Sequence, residues 1–215
     1  MIYELLGVVN VDFCHSRMFR YRRLLSPFSQ FSFSQIDIHP YLQSGLANLG
    51  FAQLTEVQAM SFVSLSNMRD VVLSSETGSG KTLAYLLPLM NNVLVHSSRA
   101  NGLVGRPPAV VVVPTAELCE QVLNVASSLD PENRVSKQVL GGTSFKQIVG
   151  AIEAPRIRWG MVDMVFTTPS MFYADILRFK TDKWFPVCTV FDEADLLFHA
   201  HSNILDIISY LRPRA

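Results

Sequence analysis

Long apolar runs are missing from this chain, and so is any excess of charge. No stretch reaches the roughly 18 consecutive apolar residues that a membrane-spanning helix needs. The most apolar segment, residues 83–95 (LAYLLPLMNNVLV), is broken by Pro88 and by Asn91 and Asn92, so no membrane partner is expected. Lys plus Arg number 18, as do Asp plus Glu, and the formal net charge is zero. Bulk charge therefore gives no argument for a nucleic-acid partner, although a neutral surface can still carry a local basic groove. Cysteine is scarce: Cys14, Cys119 and Cys188 are odd in number and far apart, which leaves neither a disulfide framework nor a zinc-ligand spacing. They read as free thiols of a reducing compartment.

What is present is enough apolar material for a core. Apolar residues make up 49% of 215 positions, the content of one domain of ordinary size. Residues 1–30 differ from the rest. Arg17, Arg20, Arg22 and Arg23 fall among serines with no acid between residues 15 and 30. That composition fits an organellar transit peptide for a mitochondrion or chloroplast. The alternative is a disordered arm on a cytoplasmic or nuclear protein, and Glu4 and Asp12 count against the transit reading. From residue 31 onward, short apolar runs alternate with helix-length segments. The runs are Val71 to Leu73, Ala109 to Val113, Val139-Leu140, Met164 to Thr168 and Val187 to Phe191, each ending at a polar or glycine-bearing loop. Helical patterns cover residues 82–95, 116–128, 144–151 and 170–179. Strands without polar alternation, separated by helices, predict an α/β fold: a parallel sheet with helices on both faces. Ligands of such sheets gather at the carboxyl ends of the strands.

One of those ends carries residues 74–82, SSETGSGKT. A strand runs into Gly78 and Gly80, and Lys81 and Thr82 open a helix. Glycines let the backbone curl so that several N–H groups converge on one phosphate, and the helix dipole favours the negative charge. Ser75, Glu76, Thr77, Gly78, Ser79 and Gly80 would form that cradle. Lys81 would reach the β/γ-phosphates and the Thr82 hydroxyl would ligate Mg²⁺. A second end delivers Asp192 and Glu193, within residues 187–197, VCTVFDEADLL. In a P-loop protein the aspartate holds Mg²⁺, and an adjacent carboxylate can take a proton from attacking water. Lys81, Asp192 and Glu193 are thus the catalytic candidates, and Thr82 and Asp192 the metal candidates.

Asp192-Glu193-Ala194-Asp195 spells the signature of the DEAD-box RNA helicases, and the loop at residues 74–82 resembles their ATP-binding motif. Residues 50–58, GFAQLTEVQ, resemble the Q motif, with Phe33 upstream at the spacing of the family's aromatic. The resemblance implies a RecA-like P-loop domain that binds ATP, with Gln58 reading the adenine edge and Phe33 stacking on the ring. An amide suits that edge because it donates and accepts together; an ordinary apolar anchor is the other reading of Phe33. By the same resemblance, Pro114 and Thr115, Gly141 and Gly142, and Thr168 and Pro169 are RNA-binding candidates. Ala116 and Met171 stand where the family carries arginines, which implies weaker RNA binding than in a typical relative.

Residues 31–215 are accordingly expected to be the first RecA-like domain, incomplete, with residues 1–30 as an arm. The family's second RecA-like domain and its Ser-Ala-Thr motif are absent from the sequence. By resemblance, the strand before that motif lies between the P-loop strand and the acidic-box strand. A gap is therefore expected there, as in an incomplete gene product that is inactive alone; the alternative is that the last helix or a partner chain covers it. A partner would also have to supply the second domain for turnover.

Overall fold

The computed structural model describes residues 4–10, 31–33, 36–76, 78–97, 108–141, 156–178 and 185–211, with backbone alone at residues 4–10, 31 and 97. In chain order the elements are β1 (Glu4–Asn10), β2 (Phe31–Ser32), α1 (Pro40–Asn48), β3 (Gln53–Leu54), α2 (Glu56–Ser66), β4 (Val71–Ser75) and α3 (Lys81–Ser97). There follow β5 (Ala109–Val112), α4 (Ala116–Leu129), β6 (Lys137–Leu140), β7 (Met164–Thr167), α5 (Pro169–Arg178), β8 (Cys188–Phe191), α6 (Ala194–Ala200) and α7 (Ile204–Leu211). The expected helix at residues 144–151 lies outside the described residues.

Six strands form the central sheet, ordered β4-β1-β8-β5-β7-β6, while β2 and β3 make a separate small pair. β8, β5, β7 and β6 run parallel. Their register sets Leu140, Thr167, Val112 and Phe191 level with one another, so the loops that follow emerge along one edge. Successive strand residues point to opposite faces, and both faces are covered. Val111, Val113, Met164, Phe166 and Val190 enter a core shared with α1 to α4. Val110, Val112, Val165 and Phe191 enter a second core with α5 to α7. That is why these strands are apolar throughout instead of alternating.

The predicted α/β architecture is present, with one departure in the sheet. β1 pairs antiparallel with both β4 and β8 and occupies the place where a gap was expected. Residues 4–10, from the start of the amino-terminal arm, fill that slot, and the last helix does not.

Helix α3 continues through Pro88. Proline costs a helix one hydrogen bond, but α3 is held from outside by its two asparagines. Asn91 Oδ1 accepts from His39 N at 2.6 Å, Asn91 Nδ2 donates to Asp37 O, and Asn92 Nδ2 donates to Ser66 O. The buried amides that break the apolar run in sequence thus dock α3 onto the segment before α1 and onto the end of α2. No described helix is long and apolar enough to cross a membrane. Cys119 and Cys188 are buried and unpaired with any disulfide partner. Burial pushes both thiols up to about 12, so they are inert apolar filler; Cys14 lies outside the described residues.

Candidate functional site

β4 and β8 end beside a cleft of about 330 Å³ lined by Gly78, Gly80, Lys81, Thr82, Asp192 and Glu193, with Leu118, Gln121, Val122 and Val125 of α4 forming the opposite wall. The loop after β4 turns at Gly78 (φ +75°) and Gly80 (φ +92°), backbone regions that L side chains rarely adopt. A side chain at Gly80 would also collide with its neighbour, since an added Cβ would stand 2.4 Å from Gln58 Nε2. That neighbour is bonded to the loop: Gln58 Nε2 donates to Gly80 O at 3.1 Å, while Gln58 Oε1 accepts from Thr55 N at 3.0 Å. An amide has two donor hydrogens and two acceptor lone pairs, so half of its capacity remains. Gln58 therefore braces the glycine loop from the start of α2.

Lys81 is buried at the head of α3, and its ammonium donates to Ser75 O at 2.8 Å and Glu76 O at 3.0 Å. The hydroxyls of Ser75 and Ser79 bond across the same loop at 2.6 Å. One turn along α3, the Tyr85 hydroxyl donates to Asp192 Oδ2 at 2.8 Å, and Asp192 Oδ1 accepts from Glu193 N at 3.0 Å. Thr82 stands near enough to the Tyr85 phenol to favour its ionised form slightly, against the larger effect of burial. Tyr85 thus joins the helix that follows the glycine loop to the acidic strand. Burial, then the Asp192 charge, holds the Tyr85 phenol well above its ordinary range, so it remains a donor. Glu193 takes the left-handed conformation at φ +52°, which costs a non-glycine residue on the order of 1–3 kcal/mol. That turn separates β8 from α6 and places the two acids differently, Asp192 buried and Glu193 half-buried.

A second group lies further along the same edge. Thr115 caps α4, accepting from Leu118 N at 3.3 Å, and Pro114 is buried beside it. Gly141 ends β6 at φ +97°, where an added Cβ would meet Met171 Cγ at 3.2 Å and Thr168 Oγ1 at 3.3 Å. Thr168 precedes Pro169, which opens α5. Pro114, Thr115, Gly141, Thr168 and Pro169 therefore follow adjacent strands. His201, at the end of α6, reaches Pro114 O through Nε2 at 3.1 Å and links the two groups.

A family model described as DEAD/DEAH box helicase matches residues 55–214. The chain belongs to the DEAD/DEAH box helicase family. It is similar to DEAD-box ATP-dependent RNA helicase 16 of Oryza sativa subsp. japonica, 34% identical over 86% of this chain and 28% of that protein. It is also similar to DEAD-box ATP-dependent RNA helicase CshC of Bacillus cereus, 33% identical over 74% of this chain and 38% of the relative. The chain thus spans roughly a third of the length of these relatives. Among solved structures, Dbp5 of S. cerevisiae matches with a TM-score of 0.62 at 21% identity, over 86% of this chain and 44% of that one. A DEAD box protein from Methanococcus jannaschii matches with a TM-score of 0.61 at 20% identity, over 86% of this chain and 48% of that chain. These likenesses carry the RecA-like α/β fold.

Within this DEAD-box domain the structure brings together Lys81, Thr82, Gly78, Gly80, Asp192 and Glu193 in one cleft, with Ser75, Glu76, Ser79 and Gln58 bonded around the loop. Phe33 is not among the residues lining that cleft; it is buried in the core shared with α1 to α4. Thr77 and Gly142 lie outside the described residues. Tyr85 and the α4 wall were not among the candidates. Tyr85 offered a signal in its spacing, a polar tip one turn after Lys81 in an apolar helix. The α4 wall offered none, because its approach to the loop depends on β5 lying beside β8.

Proposed function

We propose that this chain is the ATP-binding half of a DEAD-box ATP-dependent RNA helicase. The observation that carries it is one cleft that gathers Gly78, Gly80, Lys81 and Thr82 with Asp192 and Glu193, Asp192 being held there by Tyr85. Gly78 and Gly80 let backbone N–H groups face a polyphosphate, and Lys81 exchanges its loop carbonyls for phosphate oxygens when nucleotide enters. The donor set fits Mg²⁺: a hydroxyl and a carboxylate, both hard oxygen ligands, at the cleft. Bound there, the metal would neutralise charge on the β- and γ-phosphates. Tyr85 holds Asp192 at the oxygen turned toward α3. Glu193, half-buried and held at the strand end, orients water and accepts its proton. Charge on the transferred phosphoryl needs a further cation for fast turnover, which a second domain or another protein would supply.

RNA would cross the edge formed by Thr115, Gly141 and Thr168, whose backbones and hydroxyls can meet phosphates. Ala116 and Met171 favour a second reading, a module that binds ATP, or RNA weakly, without turnover. The test is Mg-ATP binding by calorimetry, followed by ATPase measurements with and without RNA. Micromolar to millimolar binding with hydrolysis stimulated by RNA supports the helicase reading. Mg-ATP binding without turnover supports the module, no Mg-ATP binding refutes the helicase reading, and binding of neither Mg-ATP nor RNA refutes both.

A further inference from the structure

Among the described residues, β1 is the one strand that links the strand ending in the glycine loop to the strand ending in the acidic pair. β4 is an edge strand whose one partner in the described sheet is β1. On its other side β1 pairs with β8, Gly7 opposite Phe191 and Val8 opposite Val190. The β4 register runs from Val8 opposite Val71 to Glu4 opposite Ser75. Because β1 runs against its neighbours, Glu4 stands at the phosphate-loop end of the slot. Its sequence, ELLGVVN, is a near-continuous apolar run, the pattern of a strand covered on both faces. We propose that Glu4–Asn10 is a docking strand that assembles the nucleotide site by fixing the spacing between the phosphate loop and Asp192. The proposal rests on the nucleotide reading of that cleft.

Two buried side-chain oxygens lie on elements that neighbour β1. Thr189 Oγ1, on β8 opposite Val9, and Asp195 Oδ1, on α6, are buried with no hydrogen-bond partner among the described residues; α6 packs against β1. A strand supplied by a segment far from β4 and β8 in the chain can undock and redock, and nucleotide bound at the ends of both strands would draw it in. Affinity and docking are then linked reciprocally. The proposal also competes with the transit-peptide reading of the arm, because cleavage after residue 30 would remove β1.

The experiment is hydrogen exchange on the full chain, with and without Mg-ATP, and on Val8→Pro, which breaks the ladder at the register of Val71 and Val190. The expected result is that amides of Glu4–Asn10 exchange at least about tenfold slower than an unstructured peptide, and slower again with Mg-ATP. Val8→Pro should speed exchange in β4 and weaken Mg-ATP binding by about tenfold or more, leaving β6 and β7 as in the parent. Unstructured exchange rates at residues 4–10 would overturn the proposal, as would Val8→Pro with unchanged β4 protection and affinity. Should Val8→Pro not fold, the parent decides: no slowing of residues 4–10 by bound nucleotide overturns it. Protected β1 amides in a chain that binds no Mg-ATP would support the docking and refute the nucleotide reading instead.

Discussion

The two halves of the strand-end edge are built differently. Around the phosphate loop, buried polar groups bond to one another: Lys81 to the loop carbonyls, Gln58 to Gly80, and Tyr85 to Asp192. Along the edge from Thr115 to Thr168 the side chains are small or apolar, and close approach is the main constraint, as at Gly141. The first half has the fixed donors and acceptors that phosphate chemistry requires. On the proposed reading, the second would offer RNA a surface that lacks the guanidinium groups at positions 116 and 171 that would grip it. A phosphate site fails when one bonded member is lost, whereas a shallow backbone surface weakens by degrees.

The largest effect that would sharpen this contrast is Lys81→Ala. It removes the one ammonium on the loop and should weaken Mg-ATP binding on the order of a hundredfold, read by calorimetry. Near-parental affinity would break the comparison at its stronger end. Gly80→Ala comes next, with strain at φ +92° and a clash with Gln58. It should cost about 2 kcal/mol of stability in urea unfolding, with weaker nucleotide binding. Tyr85→Phe removes only the hydroxyl that holds Asp192, and the Mg²⁺ concentration giving half-maximal ATP binding should rise about tenfold. Nucleotide affinity without metal should change little, which a general packing defect would not reproduce.

On the weaker half, Ala116→Arg with Met171→Arg should raise affinity for single-stranded RNA a few-fold and steepen its salt dependence by about one to two phosphate contacts. No gain would mean that the edge does not face RNA. The smallest effect tests the shared frame. Burial alone would raise the Asp130 carboxyl, but hydrogen bonds from Lys137, from the Val135 and Arg134 amides and from Tyr41 win, and its acidity ends below the usual value. A lowered folded value means stability present above the unfolded carboxylate range, near 3.9, and lost as pH falls through the folded value. Thermal stability should therefore drop below about pH 4, with a shallower slope in Asp130→Asn, and both halves should lose structure together.

Much of this was legible from residues alone. The glycine loop could be placed at the cleft because its glycines, lysine and hydroxyl lie close together in the chain. The acidic pair could be read because one apolar strand delivers both acids. The five expected strands and three of the four expected helices correspond to observed elements, since apolar runs without alternation leave little choice but a covered sheet. Phe33 was harder, because an aromatic at a given spacing serves a core as readily as a base. Composition set residues 1–30 apart without revealing that Glu4–Asn10 would pair with strands far along the chain.

The sequence by itself determined the local chemistry: which turn can cradle phosphate, which acids meet at a strand end, and which arginines are lacking. Only the tertiary structure decided which distant groups meet there. It placed Tyr85 on Asp192, Gln58 on Gly80, and a strand from the amino-terminal segment between β4 and β8. The physical reason is range. Backbone conformation and helix capping act over a few residues, but strand pairing and buried hydrogen bonds depend on which surfaces the whole fold brings into contact.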